Sequence, residues 1–226
     1  WPRITQDVAQ IIELGRVFLN PDTKWSAGWL VHESLPKTTT SYIGVVIQEW
    51  AFNLFSPSNF GSRLSALVGA LVAASAVFGW LWSRKTPEWL ALVLALVFLL
   101  DPIFNESYRQ GRVDSWAFAV CIAACWVLRA SLNPHELQKS PGLHLVFAGA
   151  LSGVAYFVWP TTLALMPLVL LELHYVLVSV WRQHQEHKFV QVFKSLLLFS
   201  AGGVAAVIVC LIPVLADWES HISSLA

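Results

Sequence analysis

Two arginines and an aspartate, Arg109, Arg112 and Asp114, stand between two long apolar segments in the run Tyr108-Arg109-Gln110-Gly111-Arg112-Val113-Asp114. A guanidinium stays charged and presents a fork of donors that grips phosphate bidentately. A carboxylate nearby can orient a hydroxyl or take its proton. Ionisable groups where a chain enters or leaves a bilayer are costly unless they are paired or sit in a wet, polar cavity. The run therefore reads as a binding or catalytic site at a membrane surface, against the plainer reading of a charged loop between two helices. Asp7 and Arg63 supply the same two kinds of group elsewhere. Their plain readings are a helix cap for Asp7 and an interfacial anchor for Arg63. Glu172 and His174 fall inside an apolar stretch, and His144 near the start of another. Pigment or haem ligation by a histidine is the rival reading there. No Cys-x-x-Cys-His or paired-histidine pattern supports it, which favours interhelical hydrogen bonds.

The composition decides what holds these residues. Of 226 residues, 56% are hydrophobic and 12% charged, about half the charged fraction of a soluble domain. Leu-, Val- and Ala-rich blocks recur along the chain, so the expected class is all-α, a polytopic helical membrane protein. The formal net charge is zero, and without a basic stripe there is no case for nucleic-acid binding. Cys121, Cys125 and Cys210 all lie in apolar segments. With no His or acid at zinc-ligand spacing they read as buried thiols. The chain starts at Trp1 with no signal-peptide pattern and stops at Ala226 soon after an apolar segment. It reads as part of a longer polypeptide, incomplete at both ends, with at least one helix before Trp1.

Residues 1–60 form a polar first loop with two helices. Asp7 to Leu19 is amphipathic, with Val8, Ile11, Ile12 and Phe18 or Leu19 on one face. Ser41 to Phe55 is apolar, but 15 residues reach only roughly 22 Å against a core of roughly 30 Å. Its Gln48, Glu49 and Asn53, with Trp50, Phe52 and Phe55, predict a helix lying in the interface. A short tilted span is the alternative. Residues 61–226 hold six expected spans, at 64–82, 89–104, 116–132, 143–159, 163–181 and 193–215. Pro160-Thr161-Thr162 makes a tight turn. Ala148, Gly149, Ser152 and Gly153 form a small-residue face for close helix approach.

Orientation follows from the short loops. Ser83–Glu88, Asn133–Gly142 and Arg182–Lys188 share one side and carry Arg84, Lys85, Lys139, Arg182 and Lys188, with Arg129 and Lys194 just inside the flanking helices. The positive-inside rule makes that side cytoplasmic. The first loop, the Arg109/Arg112/Asp114 run, the Pro160 turn and the tail from Asp217 share the other side, whose own basic residues keep the raw count from being decisive.

In this order the elements resemble a family, the dolichyl-phosphate-mannose protein mannosyltransferases and their bacterial relatives, which include the lipid A aminoarabinose transferases. These are membrane glycosyltransferases of the C-type fold. Three patches carry the resemblance. Gly61-Ser62-Arg63-Leu64-Ser65-Ala66-Leu67-Val68-Gly69 is similar to the family's entry into its second span. Tyr108 to Asp114 is similar to its Ser-Arg-x-x-Arg-x-Asp. Phe147-Ala148-Gly149-Ala150-Leu151-Ser152-Gly153-Val154-Ala155 is similar to its Ala-Gly-x-x-x-Gly-x-Ala helix.

The resemblance implies a C-type glycosyltransferase-like bundle. It implies transfer of a sugar from a polyprenyl-phosphate-linked donor to an acceptor on the extracytoplasmic side of a bacterial inner membrane or its equivalent. Asp7, on the first loop, would be the catalytic base or the acid that orients the acceptor. Arg63, Arg109 and Arg112 would bind the donor phosphate, and Asp114 would orient the site. No cofactor is required by the resemblance, though it leaves room for a divalent cation. The family's second acid is replaced here by Val8. Its His-Pro-Pro before the interfacial helix is replaced by His32-Glu33-Ser34-Leu35-Pro36 and Lys37 to Tyr42. Those departures support the other reading, a non-catalytic scaffold subunit of a larger membrane complex.

Overall fold

The computed structural model describes residues 6–20, 41–55, 59–132, 141–183 and 187–216. The expected readings on residues 21–40, on Lys139 and on the tail from Asp217 lie outside them. Every regular element among the described residues is an α-helix: α1 (Gln6–Leu19), α2 (Tyr42–Leu54), α3 (Asn59–Ser83), α4 (Glu88–Leu100), α5 (Pro102–Arg109), α6 (Asp114–Ala130), α7 (Pro141–Val158), α8 (Thr162–Gln183) and α9 (Lys188–Ala216).

Three of them, Arg63–Ser83, Thr162–Gln183 and Lys188–Ala216, are long and apolar enough to cross a membrane. The α4–α5 pair makes a fourth if it counts as one span. Their outer faces agree. Phe193, Leu197, Val204, Ile208 and Ile212 on α9, and Leu92, Val93, Leu96 and Val97 on α4, are exposed. A contiguous apolar surface of that extent is stable only against lipid or a partner. The chain is a helical membrane protein.

Of the six expected spans, those at 116–132 and 143–159 form α6 and α7, which are not among the helices long and apolar enough to cross, and that at 89–104 is interrupted. The segment 89–104 is not a single helix, because α4 ends at Leu100 and α5 leaves at an angle of 58°. Asp101 explains the break. Its Oδ1 accepts from the backbone N–H groups of Ile103 and Phe104, both at 3.0 Å, capping α5. Pro102 at the first position of α5 fits a helix start and pushes Asp101 out of helical backbone. The other breaks follow the sequence. Trp159 to Thr161 form a turn, with Thr162 Oγ1 donating to the Trp159 carbonyl at 2.8 Å.

α6 sits at the centre. Cys121, Ala124, Cys125 and Leu128 are fully buried in one core with Leu145 and Ala148 of α7 and Val169 and Val176 of α8. α7 and α9 touch backbone to backbone. A Cβ on Gly149 would overlap the Phe199 carbonyl, and one on Gly202 the Val146 carbonyl. The small-residue face of α7 thus has α9 as its partner.

α2 lies across helix ends rather than beside them. Gly44 meets the carbonyl of Val158 at the end of α7. Gln48 Nε2 donates to the Gly111 carbonyl just before α6, at 2.6 Å. Ala51 and Phe52 abut Gly61 at the start of α3. One short helix meeting three helix ends in succession must cross the end of the bundle. α1 packs on it there, with Ile11 in a cluster with Val45, Val113 and Val158.

Candidate functional site

The break at Asp101 opens a groove of about 720 Å³ between α4, α5 and the start of α6. Its wall is aromatic. Phe104 packs tilted on Phe98 at 4.5 Å and edge-to-face on Phe118 at 5.3 Å, measured between ring centroids. Tyr108 ties the two arms of the elbow together, its hydroxyl donating to the Leu99 carbonyl at 3.2 Å.

The polar end of the groove comes from the way α5 stops. Gly111 takes φ 83°, open to glycine at little cost. The N–H of Arg112 donates to Ser107 and that of Gly111 to Tyr108, both at 3.1 Å, closing α5 with a paired-carbonyl stop. α6 begins three residues later with Asp114 in its first turn, where a carboxylate suits the helix dipole. The charged run is thus a helix stop followed at once by a helix start. Gln48 of α2 holds it in place through the Gly111 carbonyl.

Arg112 Nε lies 2.8 Å from Asp114 Oδ2. Ser107 Oγ approaches the same oxygen at 3.5 Å. Asp114 Oδ1 is buried with no hydrogen-bond partner among the described residues, leaving a spare acceptor beside the groove. Asp101 and Glu106 line the same groove. Its lining therefore carries three carboxylates and one guanidinium.

The five expected site residues fare differently. Arg112 and Asp114 come together in the groove. Arg109 is exposed on the last turn of α5 and does not line it. Arg63 is half-buried near the start of α3, two residues before Ser65, whose Oγ accepts from Trp116 Nε1 of α6 at 3.2 Å. That puts it at the same end of the bundle, outside the groove lining. Asp7 falls in α1, also at that end, and its side chain lies outside the described residues. Asp101, Glu106, Ser107 and Gln110 join the groove although their residue types and spacing carry no sign of a site. The Asp101-Pro102 pair signals a helix start, as an acid followed by proline does. Among the described residues, no three His, Cys, Asp or Glu side chains gather for a metal.

A second charged cluster lies at the other end of α6. Glu172, buried in α8, takes Arg129 through Nε at 3.2 Å and Nη2 at 3.4 Å, the second aligned as a hydrogen bond. Arg84, at the end of α3, reaches the same carboxylate at 3.4 Å. The Arg129 guanidinium also sits 3.7 Å over the Tyr175 ring. This pairing explains how an acid survives inside an apolar helix, and it takes Glu172 out of the list of free ionisable groups. His174, by contrast, is exposed on α8.

Compared with protein-family models, with curated proteins and with solved structures, the chain finds no match in any of the three.

Proposed function

We propose that this chain is the membrane part of a C-type glycosyltransferase that moves a sugar from a polyprenyl-phosphate carrier to an acceptor on the extracytoplasmic side. One observation carries the reading: an aromatic-walled groove at a helix break ends on Arg112 and Asp114. A lipid with a charged head has that shape, an apolar tail beside Phe98, Phe104 and Phe118 and a phosphate at the guanidinium. α1, α2 and the Pro160 turn frame the same end of the bundle.

In the reaction the acceptor oxygen attacks the anomeric carbon as the bond from that carbon to the phosphate oxygen breaks. The phosphate leaves with the electron pair, and Asp7 takes the hydroxyl proton. Arg112 neutralises the leaving phosphate, with Arg63 and Arg109 as further cations at this end. Asp114 holds Arg112 in place, and its spare Oδ1 is an acceptor for a sugar hydroxyl.

A second reading, a non-catalytic scaffold subunit, is favoured by the groove's charge. Three carboxylates face one already paired arginine, a balance that repels a phosphate unless the other arginines turn toward it. Transfer assays on the full-length protein in membranes, with polyprenyl-phosphate sugars and a panel of acceptors, separate the two. Asp7→Asn is expected to abolish transfer and leave donor binding intact. Arg112→Lys is expected to weaken donor binding, because a point charge replaces a fork. Unchanged turnover in Asp7→Asn removes Asp7 from the chemistry. No donor bound and no turnover across the panel favours the scaffold.

A further inference from the structure

A second cavity, of about 620 Å³, opens between the ends of α6 and α8 and the starts of α7 and α9. It lies at the opposite end of α6 from the groove, since Asp114 lines one and Ser131 the other. Leu145, Val176 and Leu198 make its apolar wall, and Gln183, Gln191 and Lys194 its polar part. Lys194 is the one charged residue among the described residues of the lining. It is exposed, and no carboxylate of the described residues pairs with it.

Among the described residues the charge around it is net positive. The described residues of this end carry Arg84, Lys85, Arg129, Arg182, Lys188 and Lys194 against Glu88 and Glu172. Glu172 is already taken by two arginines. Next to Lys194 on α9, Phe193, Leu196 and Leu197 are exposed apolar residues, so the cavity is continuous with the surface that faces lipid chains.

The geometry points to a binding site for one anionic phospholipid of the leaflet at this end. Its phosphate pairs with Lys194, its headgroup hydroxyls meet Gln183 and Gln191, and the start of one chain lies against Leu145, Val176 and Leu198. A basic pocket between helices at the headgroup level is the general form of such a site. The volume suits a headgroup and the first part of a chain, and the rest of the lipid runs down the outside of α9. This site is independent of any glycosyl transfer at the other end.

The test uses the full chain in nanodiscs of phosphatidylcholine with a graded fraction of phosphatidylglycerol, reading the lipid retained on extraction by native mass spectrometry. Wild type is expected to retain phosphatidylglycerol in preference. Lys194→Gln is expected to cut that preference about fivefold, the weight of one cation near an anionic headgroup. Lys188→Gln, whose ammonium lies over the Trp181 ring at 5.7 Å and outside the cavity, is expected to leave it unchanged. Leu198→Trp, which fills the cavity and keeps Lys194, is expected to lose the retained lipid. Equal retention of both lipids overturns the proposal, as does an equal loss in Lys188→Gln, which would reduce the effect to general surface charge. Stabilisation by inorganic phosphate in pure phosphatidylcholine discs, with no lipid preference, would assign the cavity to a free anion and also overturn it.

Discussion

Replacing Glu172 with alanine strands two guanidiniums on one buried carboxylate's site. Arg129 is 6% exposed and Glu172 3%. At the Nε–Oε2 distance of 3.2 Å and an effective dielectric of about 20, the attraction is about 5 kcal/mol before either group's dehydration is counted. The net value of such a pair is small, but removing one partner leaves an uncompensated charge, which costs about 3–5 kcal/mol. Arg84 adds little to that figure. Its side chain is 42% exposed, and a solvent-screened pair is worth about 1 kcal/mol or less. Chains of this size lose about 2–4 °C of Tm per kcal/mol. Glu172→Ala in lipid nanodiscs is therefore expected to fall by about 6–20 °C, and Arg84→Ala by a few degrees at most. The double variant Arg129→Met/Glu172→Leu puts apolar groups at both positions and is expected to recover most of the loss. If the double variant instead loses the sum of Arg129→Met and Glu172→Leu measured singly, the two side chains are not coupled and the reasoning fails.

Three further outcomes follow from the packing. Gly149→Leu drives a side chain into the backbone of α9 at Phe199; it is expected to cost about 1–3 kcal/mol and to raise cross-linking of α7 to lipid-borne probes, whereas wild-type Tm and unchanged labelling would mean the helices do not touch there. Asp101→Ala removes the cap of α5 and is expected to cost about 1 kcal/mol, seen as faster amide exchange at Ile103 and Phe104; protection equal to wild type would show that Pro102 alone sets the break. Tyr42, in α2, has its phenol pushed from 10.0 up to about 12 by burial and then by the Cys210 thiol. The fold holds it neutral, so its contribution is intact below pH 10 and is lost as pH rises from about 10 toward 12. A phenolate absorbance titration should lose its latest-titrating component in Tyr42→Phe, and a titration curve unchanged by that substitution would contradict the burial.

What the sequence determined by itself is what depends on neighbours in the chain. Apolar runs placed α3, α6, α7, α8 and α9 to within a few residues, because helical periodicity and length are local properties. The Pro160 turn and the glycine face of α7 were legible for the same reason. Local chemistry also marked the Asp101-Pro102 start that divides the expected 89–104 span, although total apolar length outweighed it in the reading. The tertiary structure decided which distant residues meet. Glu172 was visible as an acid inside an apolar helix, but its partners Arg129 and Arg84 come from other helices and carry no spacing that points to it. Of the five residues grouped by type as a site, the fold brings Arg112 and Asp114 into one groove because the stop of α5 after Arg109 is followed closely by the start of α6 at Asp114. It leaves Arg109 on the outer turn of α5, where helix phase, not residue type, sets the direction of the side chain. The aromatic wall of that groove exists only because α5 bends away from α4 by 58°, a direction fixed by packing on Phe98 and Phe118.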